Sequence, residues 1–211
     1  MTREWLERAG RRFARFTTTA VVARPGLWRL LRPLTRVQFD RLAPVWDRRR
    51  GPESLIPLQA ALAKIEAPRC VLDLGTGTGV GARAIAKRFP EAQVVGVDLA
   101  PAMVEEARRL LEPELAYRVR YQAADAEHLP FEDAAFDLVV LLNMIPFFEE
   151  LARVTAAGGA LVLAYSSGPE TPIYTPPETL RSRLEPLGFG HFEEIAAGEG
   201  TALLARRRER V

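Results

Sequence analysis

The stretch VLDLGTGTGVG, residues 71–81, sets four glycines at alternate positions directly behind a short apolar run. Glycine accepts positive φ without penalty and lets another molecule touch the main chain, because a Cβ there would intrude. A strand that feeds such a loop, followed by a helix, is the arrangement in which an open α/β sheet binds ligands at the carboxyl ends of its strands. The rest of the chain therefore has to supply more strands and the helices that cover them.

It does so. Short β-rich runs fall near 69–74, 93–98, 118–123, 136–142 and 159–166, with helical patterns near 79–89, 101–112 and 146–155. VVGVD and FDLVVLL are continuously apolar, as strands covered on both faces must be. Strands alternating with helices predict a mostly parallel, right-handed, doubly wound sheet. At the tail, GHFEEIAA and TALLARR are joined by GEG, which predicts an antiparallel hairpin at the sheet edge and brings the expected sheet to seven strands. PESLIPLQAALAKI reads as one further helix.

With 211 residues, 48% of them apolar, the chain is long enough for one domain with a full core. It has no apolar run of the length a membrane span needs, about 18 residues, and MTREWLERAGRRFARF has no apolar centre of the kind a secretory signal carries. Cys70 is the single cysteine, which excludes an internal disulfide, suits a reducing cytosol and reads as a small buried hydrophobe. The expected location is cytoplasmic, or peripheral to the inner face of a membrane.

Charge divides the chain. Residues 1–50 hold thirteen arginines against Glu4, Glu7, Asp40 and Asp47, a net of +9 in a chain whose total is +2. A basic helical appendage, 1–50, therefore precedes an acidic body, 51–211. From Thr2, an expected N-cap, Trp5, Leu6, Ala9, Phe13 and Phe16 recur at helical spacing opposite Arg8, Arg11, Arg12 and Arg15. A second amphipathic stretch carries Leu27, Trp28, Leu31, Leu34 and Phe39 among arginines, and Pro33 predicts a break or kink in it. Three readings fit the arginines: a lid with a solvated basic face, a peripheral contact with anionic membrane through residues 1–36, and nucleic-acid binding. Only Lys64 and Lys87 stand beside 27 arginines, a bias that genomic composition also produces and that weakens the last two readings.

The glycines alone admit two cofactors. Gly77, Gly79 and Ala82 satisfy a dinucleotide fingerprint, whereas Asp73 before the loop repels a pyrophosphate and attracts an ammonium group. Asp98 ends the next strand, where a carboxylate accepts both hydroxyls of an adenosine ribose.

On these residues the sequence resembles the class I S-adenosylmethionine (SAM)-dependent methyltransferases. LDLGTGTG is similar to the family's first motif and VVGVDLAPAMVEEAR to its second region. AADAEHLPFEDAAFDLVVLL supplies an Asp followed by a small residue after the third strand, and ELARVTAAGGALVLAYSS is similar to the segment that turns through two glycines into the fifth strand. Together these cover about residues 60–166 in the family's order. The resemblance implies a Rossmann-like fold and SAM as cofactor, with S-adenosylhomocysteine as product and no metal. The implied cofactor-binding residues are Asp73, Gly75, Thr76, Gly77, Gly79, Asp98, Leu99, Met103, Asp125, Ala126 and Asn143.

FDRLAPVWDRRRGPESLIPL is similar to the leading segment of quinone-biosynthetic methyltransferases, with Trp46 in place of the usual Tyr. It implies a small, lipophilic or quinone-like acceptor. Methyl transfer from a sulfonium requires alignment rather than an obligatory acid or base, so no catalytic residue is assigned. Asn143, His128 and Tyr165 are the candidates, with His191 and Tyr174 behind them. Two alternatives stay open: a SAM-binding module without turnover, and an NAD-binding oxidoreductase. Oligomeric state is not readable from the residues.

Overall fold

The computed structural model describes residues 3–47 and 51–209, with the side chains of residues 3–8 and of Pro52 left out. Thr2, and the faces expected for Trp5, Leu6 and Arg8, lie outside what is described. The strands are β1 (Cys70–Leu74), β2 (Gln93–Asp98), β3 (Val119–Ala123), β4 (Phe136–Leu142), β5 (Thr155–Tyr165), β6 (Phe189–Ala197) and β7 (Gly200–Arg207). They form one sheet of order β3-β2-β1-β4-β5-β7-β6. The first five pair in parallel, and β7 runs antiparallel to both β5 and β6. The winding therefore reverses between β1 and β4, and the ligand crevice of such a sheet opens at that point.

Alternation along the strands divides the core. Val71, Leu138, Val140 and Leu142 face α3 (Ile56–Leu62), α4 (Val80–Arg88) and α5 (Pro101–Arg109). Leu72, Leu74, Val139 and Leu141 face α6 (Phe148–Val154) and α7 (Pro177–Leu184). Helix α4 shows why these segments are helical: Ala82, Ile85 and Ala86 recur at three- and four-residue spacing and are fully buried. Lys87 and Arg88 complement the dipole in its last turn, and Phe89 leaves the helix in extended conformation ahead of Pro90. Full burial of a side chain such as Leu72 or Ile85 contributes about 1.5–3 kcal/mol, so the crevice stands on a rigid floor.

The basic appendage forms α1 (Arg3–Ala23) and α2 (Trp28–Leu42). Neither has a stretch apolar enough to cross a membrane, and no other helix among the described residues does.

Several expectations need correction. Helix α2 runs unbroken through Pro33; Pro33 and Arg29, whose carbonyl loses its helical partner, are both exposed, so the lost bond is not a buried one. Phe16 is exposed rather than part of a buried stripe, and α1 buries Thr17, Thr18 and Val21 instead. Cys70 is exposed, because it is the first residue of β1, ahead of the point where the strand passes under its helices. Strand β5 begins at Thr155, which pairs with Phe136; the next pair is Ala160 with Leu138, so the two glycines fall in the register shift inside the strand, with Gly158 at φ +73. Helix α7, with Leu180 and Leu184 as its buried contacts, has too little periodicity to be read from PPETLRSRL.

Candidate functional site

The loop after β1 turns on Gly75, Gly77 and Gly79, at φ +74, +55 and +81. At Gly79 two constraints coincide: the left-handed backbone, and a Cβ position only 2.7 Å from Tyr121 Cζ. Tyr121, on β3, is buried and directs its hydroxyl at the Gly79 carbonyl, 3.3 Å away. Its burial pushes the phenol well above its ordinary pKa, so it stays protonated. A Cβ at Gly75 would meet Met144 Cγ at 2.7 Å.

Main-chain and carboxylate bonds hold this loop to the sheet. The amides of Gly75 and Thr76 donate to the Val97 carbonyl at 2.8 and 2.9 Å. Asp98 then accepts from Gly77 N through one oxygen and from Ala100 N through the other, both at 2.9 Å. It thus joins the loop to the start of α5. Asp73 is 1% exposed and accepts from the Thr76 hydroxyl at 2.6 Å. A Cβ at Gly81 would stand 3.0 Å from both of its oxygens, which puts a carboxylate beside the first turn of α4, where the helix dipole favours negative charge.

The third carboxylate, Asp125, follows β3 and is held by the appendage. It accepts from Trp28 Nε1 at 2.8 Å and from the Arg32 guanidinium at 2.7 Å. Burial alone would raise its pKa, but the Arg32 and Trp28 hydrogen bonds outweigh that and hold it below the usual carboxylate range. The Trp28 ring packs edge-on against Phe147 at 5.3 Å. Further along, Asp40 accepts from Ala102 N at 3.0 Å in the first turn of α5, and Asp47 accepts from the Thr78 hydroxyl. Trp46 lies over the loop, its Nε1 3.4 Å from the Cβ position of Gly77. Ala43, Ala100 and Met103 form a small buried cluster beneath Phe39, Leu42 and Trp46.

Of the residues singled out in the sequence, Asp73, Gly75, Thr76, Gly77, Gly79 and Asp98 come together around one loop. Met103 is buried beside α2, Leu99 is half-buried next door, and Ala126 is buried behind Asp125. Asn143 stands at the end of β4 with φ +54. Its amide nitrogen donates to Ser166 Oγ at 2.7 Å and its carbonyl accepts from Ser166 N at 2.9 Å, tying the ends of β4 and β5.

His128 is 79% exposed, with Glu127 as its neighbour at 3.7 Å. Tyr165 is buried, its pKa pushed up to about 12 chiefly by burial. It lines a cavity of about 150 Å³ with Tyr174, Leu180 and Ile195, to which no glycine-loop residue contributes. His191 lies in β6 at a register shift.

Residue-by-residue reading missed Trp28, Arg32, Asp40, Asp47, Tyr121 and Met144. The segment VWDRRR carried a signal for Asp47, whereas nothing local marks Trp28 and Arg32 as partners of a carboxylate almost a hundred residues away.

The acceptors at the carboxyl ends of the strands include three carboxylates, at the ends of β1 and β2 and just past β3. That chemistry fits a cationic, hydroxyl-bearing adenosyl ligand and opposes a pyrophosphate.

Comparison with known proteins agrees. Residues 71–159 match the model of a methyltransferase domain. A demethylmenaquinone methyltransferase of Thermus thermophilus is 45% identical over 109 residues, covering 48% of this chain and 49% of the relative. A malonyl-[acyl-carrier protein] O-methyltransferase of Halorhodospira halophila is 44% identical over 111 residues, covering 49% of this chain and 37% of the relative. The chain thus spans about half or less of the length of these curated relatives. In fold, a SAM-dependent methyltransferase from Aquifex aeolicus superposes with a TM-score of 0.61 at 19% identity, over 76% of this chain and 95% of that one. A phosphoethanolamine N-methyltransferase of Haemonchus contortus in complex with SAM gives 0.63 at 18% identity, over 81% of this chain and 57% of that one. With the glycine loop and the sheet order in agreement, residues 71–159 are similar to a methyltransferase domain, and the chain shares the fold of the SAM-dependent methyltransferases it superposes on.

Proposed function

We propose that the chain binds SAM and transfers its methyl group to a small, lipophilic or quinone-like acceptor, releasing S-adenosylhomocysteine. The observation that carries this reading is that Asp73 and Asp98 both bond the glycine loop beside the switch point between β1 and β4, while Asp125 follows Ala124, whose amide donates to the Asp98 carbonyl. SAM supplies a methyl group already activated by the sulfonium. The chain's residues bind, orient and exclude water, which accounts for about 7–11 kcal/mol of barrier reduction in well-aligned reactions.

In this reading Asp73 balances the methionine ammonium across the loop, and Asp98 turns toward the ribose hydroxyls. Leu99 and Met103 flank the adenine, while Asp125 with Ala126 meets its amino edge. Asn143 and the adjoining Met144 line the acceptor side. No acid or base is assigned to His128 or Tyr165. We take residues 1–50 as a helical cap and 51–211 as the cofactor domain, working at the cytoplasmic face of a membrane that the basic cap touches.

The acceptor class follows from the leading segment around Trp46 and from the printed activity of the Thermus relative. The test is transfer of labelled methyl from SAM to a panel of phenolic and quinol acceptors, with a carrier-bound malonyl group beside them. Label on a quinol-type acceptor supports the reading. Label on the malonyl group alone overturns the acceptor class, and tight SAM binding with no transfer to any acceptor identifies a binding module.

A further inference from the structure

Helix α2 has two apolar faces. Its inward face, Trp28, Leu31, Thr35, Phe39 and Leu42, is buried or half-buried against the domain. A helix on the surface of a soluble body ordinarily turns a polar face outward. Here the outward stripe is Leu30, Leu34 and Val37, on successive turns and 74%, 61% and 47% exposed. Exposed Arg29 and Arg36 flank it, and exposed Arg41 stands at its end. Gly10 of α1 lies beside Gln38 of α2, and α1 carries a further exposed apolar side chain, Phe16. Contiguous exposed apolar side chains mark an interaction surface.

We propose that this outward face of α2 docks on an anionic lipid bilayer. Charge complementarity selects the occupant. The first fifty residues carry a net +9 in a chain of net +2, so the remainder is acidic; an anionic surface attracts the head and repels the body, which orients the molecule. A polynucleotide would pair with the arginines but leave Leu30, Leu34 and Val37 in water, whereas the interfacial region of a bilayer accepts both. The same helix holds Asp125 through Trp28 and Arg32. A docked bilayer therefore lies directly behind the cap of the cofactor crevice, and a lipophilic acceptor reaches the crevice without crossing bulk water. This inference rests on the membrane-contact reading above and does not depend on methyl transfer.

The test is co-sedimentation of the full chain with vesicles of mixed phosphatidylglycerol and phosphatidylcholine, and with vesicles of phosphatidylcholine alone. The wild-type chain should bind the anionic vesicles selectively. A variant combining Leu30→Gln, Leu34→Gln and Val37→Gln should lose about tenfold or more of that partition, with circular dichroism and S-adenosylhomocysteine binding unchanged. A second variant, Arg29→Gln with Arg41→Gln, should lose selectivity for the anionic vesicles, and it decides the matter if the first fails to fold. Equal binding by wild type and both variants would overturn the assignment to α2 and leave the membrane reading standing. Failure of the wild-type chain to bind overturns both. Binding of duplex DNA with a steep salt dependence, in place of vesicles, assigns the arginines to nucleic acid and overturns the proposal.

Discussion

The glycine loop and the helical cap meet at the same crevice but are specified by different means. The loop is held by its own neighbours: main-chain bonds to Val97, a carboxylate at either end, and backbone angles that only glycine adopts without strain. The cap is held by long-range pairs, Trp28 and Arg32 on Asp125, Asp40 on α5 and Asp47 on Thr78. A loop built on backbone constraint has one conformation. The cap depends on residues far apart in the chain: Val21 and Trp28 join the core beneath it, and Ala43 packs on Ala100 and Met103.

Substitutions should separate the two regions, beginning with the loop. Gly79→Ala places a side chain in the left-handed region, costing about 1–2 kcal/mol, and against Tyr121, costing about 1–3 kcal/mol more. Chemical denaturation should show a fall of that combined size, and SAM binding should be lost. Adding Tyr121→Phe should return part of the stability, because the hydroxyl nearest the new methyl is gone. No recovery would mean that the backbone strain and the ring itself, rather than the hydroxyl, set the cost.

Asp73→Ala comes next. It strands the Thr76 hydroxyl and removes the charge beside α4, for about 1–3 kcal/mol, with weaker SAM binding measured by calorimetry.

In the cap, Trp28→Phe keeps the ring on Phe147 and deletes the Nε1 donor, for about 1 kcal/mol. Its more telling effect has the opposite sign from the loop variants: Asp125 is released, so SAM affinity should rise a few-fold while limited proteolysis between residues 3 and 42 speeds up.

Arg32→Gln, at an exposed position, should change stability least of all at neutral pH and show itself in the pH profile. The Asp125 carboxyl is held below its ordinary pKa, so its contribution is present above the ordinary carboxylate range and is lost as pH falls through the lowered value. Removing Arg32 raises that value toward the unfolded one and narrows the interval between them, so the acid loss of stability should become smaller. An unchanged acid limb would contradict the pairing.

The same contrast explains what the sequence made legible. The loop could be read because glycine, a strand-end Asp73 and the strand-end Asp98 are residue types that the local backbone demands, and β4 could be read because burial on both faces leaves only apolar residues. The cap's fold was half legible: amphipathic spacing gave two helices, yet Pro33 read as a break in a helix that is continuous. Its placement was not legible, because Trp28 reads as a buried hydrophobe and Arg32 as a solvated charge until Asp125 is brought to them. Asn143 read as a site residue or a cap; its bonds to Ser166 show how it locks two strand ends. Tyr121 looked like an ordinary strand residue, and only the close approach of Gly79 reveals its part in shaping the loop.

The central claim is that three carboxylates around a glycine loop make an adenosyl pocket selective for a cationic, phosphate-free cofactor. Calorimetry of the full chain with SAM, S-adenosylhomocysteine and NAD tests it most directly, with Asp98→Ala alongside. The account predicts saturable binding of both adenosyl ligands, no heat from NAD, and about a tenfold or greater loss of affinity in the variant, of the size expected when a charged hydrogen-bond acceptor is removed. Saturable binding of NAD with no response to SAM would contradict it.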